Sequence, residues 1–328
     1  MRKMCIGVEK WPLHEPFIIS RMAPQLNGEV IVVEIEQNGV IGRGECERMD
    51  VFEPDYDDVL SMVEGVKGHV ESGISRLELR SYLPSGAARN AVDCALFELE
   101  AKLALLPIWQ VAGFNEPPKP VITVFTLSLD TAENMAKAAA RQKHRPILKL
   151  KLGRKDDLDK VKAIRAAAPD TRLVIDANTG WSFAQLQSYL PELAKLGVEM
   201  IEQPLAPDEE HLLEGLYPEI PIVADESCLD CASLESLKGR YQGVNIKLDK
   251  TGGMTEALAL LNAAIDQDFD IMVGCMLGTS LAMAPALLLA QKARWVDIDG
   301  PLLLSKDRSP ALRYEGSLVY PDDHVWGT

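Results

Sequence analysis

Apolar and polar residues alternate in short stretches at the start of the chain, over residues 4–8, 17–20 and 30–37, which is the pattern of half-buried strands. Asn38-Gly39 then supplies a two-residue hairpin turn into a further strand over 40–45. Helical spacing takes over at 57–71 and 87–105, and Pro117, Pro118 and Pro120 punctuate the chain. Residues 1–118 thus read as an α+β domain built of strands followed by helices.

Beyond residue 121 the pattern becomes repetitive. Apolar runs recur at 121–127, 147–152, 172–176, 199–202, 222–225, 244–248, 271–275 and 295–298. Helical segments separate them at 132–142, 156–168, 182–196, 209–216, 233–238, 255–265 and 281–292. Strand alternating with helix at this interval predicts parallel strands, and eight of them predict a closed barrel over residues 119–309. After the eighth strand Gly300-Pro301 leads into chain without a further helical pattern, so the fold class is α/β, a modified TIM barrel of the form (β/α)7β. Pro191 lies inside the third helical stretch and is expected to kink or split it. The tail, 310–328, is expected to pack back on the N-terminal domain.

In such a barrel the chemistry sits at the carboxyl ends of the strands. Strand two ends Lys149-Leu150-Lys151, strand three Asp176-Ala177-Asn178, strand four Glu202-Gln203-Pro204, strand five Asp225-Glu226-Ser227, strand six Lys247-Leu248-Asp249 and strand eight Asp297-Ile298-Asp299. Side chains two apart share a face of a strand, so Lys149 and Lys151 both point inward. A lone acid after a strand is usually a helix cap, and a lone lysine there usually reaches for solvent. Lysine, acid, acid, acid, lysine on five consecutive strand ends is a different matter. Three converging carboxylates (Asp176, Glu202, Asp225) without His or Cys suit a hard, oxygen-preferring cation such as Mg²⁺. Lysines on either side of it suit removal of a proton from one face and its return to the other.

Composition narrows the partners. The net charge of −15 at pH 7 repels phosphate backbones and anionic bilayers, so nucleic acid and membrane are poor partners. The start of the chain lacks the apolar core of a signal peptide, and the run 281–290, interrupted by Pro285, is too short to span a bilayer. A cytoplasmic location is the default expectation. The six cysteines then read as reduced thiols, and Cys228-x-x-Cys231 has no second pair or nearby His to complete a zinc set. A homo-oligomer stays open.

These motifs, with Lys247-Leu248-Asp249-Lys250-Thr251-Gly252-Gly253, resemble those of the enolase superfamily. Within it they are similar to the muconate-lactonizing-enzyme subgroup, above all to the L-Ala-D/L-Glu dipeptide epimerases, to which Cys275-Met276-Leu277 and Asp297-x-Asp299 also point. The resemblance covers nearly the whole chain, makes residues 1–118 a capping domain, and implies recycling of cell-wall peptides. It implies that Asp176, Glu202 and Asp225 hold Mg²⁺, which stabilises the enediolate left when Lys151 or Lys247 takes the α-proton of a dipeptide's C-terminal residue. The base must stand below the ordinary lysine pKa of about 10.4, and neighbouring Lys149 and the cation push in that direction. Lys149 is implied to contact the carboxylate, Asp297 and Asp299 to receive the free ammonium, Thr126 to contact the peptide and Cys275 to lend backbone groups. Glutamate-selective relatives carry an arginine in the first capping loop, where Arg21 is here the only cation. The second loop, 48–58, is strongly acidic and either disfavours an acidic side chain or stands as a solvated flap. The alternatives are an o-succinylbenzoate synthase-like lyase, an N-acylamino-acid racemase, and a barrel without catalysis. Asp297-x-Asp299 favours the epimerase, because it supplies anions for an ammonium that the other substrates lack.

Overall fold

The computed structural model describes residues 1–48 and 55–327, so residues 49–54 of the acidic second loop lie outside the described residues. Three strands, β1 (Arg2–Phe17), β2 (Gln25–Gln37) and β3 (Val40–Cys46), form an antiparallel sheet in the order β1-β2-β3. Two separate strands were expected over 4–8 and 17–20. Instead β1 runs through to Phe17, pairing with β2 continuously from Arg2 to Pro12, and a register shift between Pro12 and Phe17 absorbs the irregular end. Asn38 (φ 56°) and Gly39 (φ 80°) make the expected turn with both residues left-handed.

Both faces of β2 are covered. Ile31, Val33 and Ile35 pack with Val59, Val63 and Val66 of the helix Tyr56–Ser72, while Val30 and Val32 join the large core that surrounds the barrel. The helix Ala87–Ala104 lies against β3 so closely that a Cβ on Gly44 would stand 2.1 Å from the Ala91 carbonyl oxygen, a position only glycine can fill. This first region is seated on the barrel by buried polar contacts. Glu45 accepts from the Thr279 N–H (2.7 Å) and from Arg308 (2.6 Å).

The first apolar run of the second region splits. β4 (Val121–Ile122) leaves the barrel to pair antiparallel with the last strand of the chain, and only β5 (Phe125–Leu127) belongs to the barrel. The break falls at Thr123, whose N–H donates to Ser317 (2.8 Å) and whose hydroxyl accepts from the Ile298 N–H (2.9 Å). The remaining barrel strands are β6 (Ile147–Lys151), β7 (Arg172–Asp176), β8 (Val198–Glu202), β9 (Ile222–Ala224), β10 (Gly243–Ile246), β11 (Asp270–Val273) and β12 (Trp295–Val296). They lie in sequence order, all parallel, and the Val124 N–H closes the ring onto the Val296 carbonyl (2.9 Å). A hairpin of β13 (Arg313–Glu315) and β14 (Leu318–Tyr320) completes the small sheet with β4. Beyond it Trp326 stacks on Phe97 (5.9 Å between centroids) and donates to the Arg43 carbonyl (2.9 Å).

Two helices differ from expectation. The stretch 209–216 forms only the 3-10 turn Glu210–Leu213, bracketed by Pro207 and by Gly215 at φ 76°. The helix Phe183–Lys195 passes through Pro191 without splitting, since Gln187, whose carbonyl the proline leaves without a donor, is exposed to water. After β12 there is one short turn, Gly300–Leu303, in place of an eighth full helix, which leaves (β/α)7β.

Inside the ring the period-two alternation builds two layers. Val124, Ile147, Val174, Met200, Val223, Met272 and Trp295, one from each barrel position but that of β10, form an apolar cluster. Two residues further along the same strands come Thr126, Lys149, Asp176, Glu202, Asp225, Gly274 and Asp297. β10 supplies Asn245, level with Met272, and then Lys247.

Candidate functional site

The upper layer is buried and charged. Lys149, Asp176 and Glu202 are 1 % exposed or less, and Lys151, Asp225, Lys247, Asp297, Asp299 and Thr126 are all buried. Charges survive at such depth only when paired, and here all but Asp299 pair across strands. The Lys149 ammonium stands 2.6 Å from Asp297, 2.7 Å from Glu202 and 3.2 Å from Asp176. Lys151 reaches Asp176 at 2.6 Å from one side, and Lys247 reaches Asp225 at 2.7 Å from the other. Asp299 accepts from the Thr126 N–H (2.6 Å) and makes no side-chain cap for the turn Gly300–Leu303, so its carboxylate belongs to the cavity.

The pairing sets the titration. Burial alone would lower Lys149 and Lys247, but Asp297, Glu202 and Asp176 around the first, and Asp225 and Glu202 around the second, outweigh it and hold both above the ordinary lysine range. The depression expected of the proton-transferring lysines is an expectation for the site with a cation beside them, whereas here the acids themselves neutralise Lys149 and Lys247. Glu202 is pushed up to about 7 by burial and by the Asp176 charge, and Asp299 to about 7 by burial and by Asp297. Asp225 is the converse: burial opposes its ionisation, yet Lys247 and Lys250 hold it well below the carboxylate range.

Could these residues hold a cation? Among the described residues no three acidic, imidazole or thiol groups stand together as a ready coordination set, because Asp176, Glu202 and Asp225 are turned onto lysines. The donor chemistry nevertheless fits. All the convergent donors are carboxylate oxygens, and Glu202 Oε2, though 2.7 Å from the Lys149 nitrogen, is a buried oxygen without a hydrogen bond.

The capping region closes the top. Phe17 and Ile19 line the cavity, and the Lys151 nitrogen lies 5.7 Å from the centre of the Phe17 ring. Arg21 enters from the first loop, pairs with Glu226 through Nη1 and donates to the Asn178 carbonyl (3.4 Å). Together with Cys275, Met276 and Leu277 these groups line one cavity above the charged layer. Burial raises the Cys275 thiol well above its usual range, which leaves the backbone as what this residue offers. The Cys228 thiol is also buried and pushed up to about 12 by desolvation.

Arg21, Thr126, Lys149, Lys151, Asp225, Lys247, Cys275, Asp297 and Asp299 line this cavity, Asp176 and Glu202 stand against its lysines, and Cys228 and Cys231 lie outside its lining. Others carry no assigned role in the sequence reading. Lys250 donates to Asp225 Oδ1 (2.7 Å) and to the Asn245 carbonyl (2.9 Å), and Asn245 Nδ2 donates to Glu202 (2.7 Å). Asn245 was within reach of the period-two argument, being two residues before Lys247. Lys250 was not: it sits in a helical turn, Leu248–Thr251, that follows the carboxyl end of β10. Glu226 follows a strand-end acid in the sequence, and nothing local tells that it faces a loop some 200 residues away.

Comparison with known proteins agrees with this architecture. Residues 1–113 match the family described as mandelate racemase / muconate lactonizing enzyme, N-terminal domain, and residues 130–315 the enolase C-terminal domain-like family. An L-Ala-D/L-Glu epimerase of Escherichia coli is 42% identical over 96% of this chain and 98% of its own. An N-acetyl-D-glutamate racemase of a Pseudoalteromonas species is 45% identical over 76% of this chain and 79% of its own. Among solved structures, an Agrobacterium tumefaciens enolase family member with homology to dipeptide epimerases, holding sodium and L-Ala-L-Glu, superposes over 100% of both chains with a TM-score of 0.97 at 42% identity. A Cytophaga hutchinsonii dipeptide epimerase complexed with Mg and D-Ala-L-Val covers 98% of this chain and 93% of its own, with a TM-score of 0.90 at 26% identity.

Proposed function

Because this chain belongs to the mandelate racemase and muconate lactonizing enzyme family of the enolase superfamily, we propose that it is a dipeptide epimerase of the L-Ala-D/L-Glu type. It inverts the α-carbon of the dipeptide's C-terminal residue by passing a proton between two lysines. One observation carries the reading: Lys151 and Lys247 flank the three carboxylates from opposite sides, on β6 and just beyond β10.

Asp176, Glu202 and Asp225 hold Mg²⁺ in this account. When bound, Mg²⁺ takes the substrate carboxylate and stabilises the negative charge left by the departing α-proton. The chain's own groups do the rest. A cation held by the three acids would take up the carboxylates now facing Lys151 and Lys247 and set a like charge beside both lysines, which would favour the neutral base that proton removal needs. One lysine then takes the α-proton on its face, and the other, protonated, returns one on the opposite face. Lys149, held by Asp297, contacts the carboxylate. Asp297 and Asp299 face the ammonium, Thr126 the peptide, the Cys275 backbone the same end, and Arg21 the side chain of the C-terminal residue.

A second reading, racemisation of N-acylamino acids, is favoured by the likeness to the N-acetyl-D-glutamate racemase. Two acids at the far end of the cavity argue against it, since an acylated nitrogen carries no charge for them to meet. Incubating L-Ala-L-Glu and N-acetyl-L-glutamate separately in D2O with Mg²⁺ decides the matter by mass spectrometry. Deuterium should enter the dipeptide. Incorporation into the acylated amino acid alone would install the second reading.

Six free thiols among the described residues fit a reducing compartment, so we place the reaction in the cytoplasm. No described helix is long and apolar enough to cross a membrane. The division into a capping domain of residues 1–118 and a barrel of 119–309 is supported by the antiparallel sheet of the first and the parallel ring of the second, with residues 310–328 reaching back through Trp326.

A further inference from the structure

Arg21 is the cation assigned above to the substrate's side chain, but a flexible guanidinium on a loop is a poor receptor unless something holds it. Two contacts hold it here. Ser20, its neighbour, packs onto the barrel rim at Gly153, where a Cβ would lie 2.6 Å from the Ser20 hydroxyl. Arg21 Nη1 is taken by the Glu226 carboxylate and the Asn178 carbonyl, so a group on the barrel fixes a group on the cap. The Nε and Nη2 donors have no partner among the described residues, and Arg21 lines the cavity. Glu226 is itself buried, and its second oxygen, Oε2, has no hydrogen-bond partner. A guanidinium gripped through one nitrogen keeps its Nε–Nη2 fork available for two parallel hydrogen bonds to a carboxylate.

We infer that Glu226 is a positioning residue that holds Arg21 by Nη1 and so presents its fork to the side-chain carboxylate of a glutamate-type substrate. The inference rests on the dipeptide epimerase reading. Glu226 touches no reacting atom, so its removal should cost recognition of the acidic side chain and leave proton transfer alone.

The test measures kcat and KM in Mg²⁺-saturated enzyme for L-Ala-L-Glu and for the neutral L-Ala-L-Met, in wild type, Glu226→Ala and Glu226→Gln, with circular dichroism as the check on folding. Glu226→Ala should raise KM for L-Ala-L-Glu about tenfold, the scale of one lost charge-assisted hydrogen bond, with kcat and the KM for L-Ala-L-Met within about twofold. Glu226→Gln keeps an acceptor for Nη1 and should restore most of the loss. An equal rise for both dipeptides, a fall in kcat alone, or an unchanged or lowered KM for L-Ala-L-Glu overturns the positioning role while the epimerase reading stands. Wild-type enzyme that exchanges the α-proton of neither dipeptide removes the epimerase reading, and this inference with it.

Discussion

The barrel has two interiors built on the same strands. Toward the amino ends Val174, Met200 and Val223 close the ring as an apolar plug. Two residues later Asp176, Glu202 and Asp225 occupy the same inward direction in the same order. Backbone geometry is shared, so the difference is chemical. The apolar layer gains from burial, whereas the charged layer is tolerated only because each acid meets a lysine. Loss of a side chain should therefore unfold the protein in one layer and disable it in the other.

The largest effect belongs to the charged layer. Asp176→Asn or Glu202→Gln should lower kcat by about 10³-fold or more with the circular dichroism spectrum retained, as should thorough chelation, with activity restored by Mg²⁺. Full turnover after chelation would remove the metal from the account. In the layer beneath, Met200→Ala should cost about 2–5 kcal/mol in urea unfolding, because it opens a cavity in an apolar cluster, while kcat changes only a few-fold. A variant that kept its stability but lost activity would erase the contrast between the layers.

Smaller effects sharpen the upper layer from within. Asp297→Asn and Asp299→Asn should weaken KM for dipeptides with free amino termini by about 1–3 kcal/mol more than for N-acylated ones. Equal losses would make these acids structural. Glu202, pushed up to about 7 from an ordinary 4.5, binds its proton more tightly folded than unfolded. In metal-free protein its contribution to stability is therefore present below about pH 4.5 and is lost as pH rises through about 7. If Glu202 holds Mg²⁺, the ion would have to displace that proton, so its affinity, followed by calorimetry, should rise by up to about tenfold per unit as pH climbs toward 7 and then level off. A flat profile would assign the shift to a group the cation does not meet.

The layers also differ in how they could be read in advance. The period of two and the barrel order were enough to bring Lys151, Asp176, Glu202, Asp225 and Lys247 into one cavity, because a closed parallel ring leaves few ways to arrange strand ends. What lay off the strands was harder. Lys250 reaches Asp225 from a helical turn, and Arg21 meets Glu226 across two regions whose docking no local pattern encodes. The alternation over 4–8 and 17–20 reads as two strands, yet β1 continues between them as an edge strand that absorbs Pro12 and Pro16 by a register shift. The run 121–127 looked like one strand because periodicity cannot tell which sheet a residue will join.

Two-sided proton transfer is the central claim, and separate replacement of the lysines tests it most directly. Lys151→Ala and Lys247→Ala would each be followed by NMR in D2O, with Mg²⁺, on L-Ala-L-Glu and L-Ala-D-Glu. The surviving lysine can still remove and return a proton on its own face, so each variant should lose epimerisation yet keep slow α-exchange with one epimer. The two variants should keep opposite epimers. Interconversion of the epimers by Lys247→Ala at near the wild-type rate would contradict the account and leave a single-base reaction in its place.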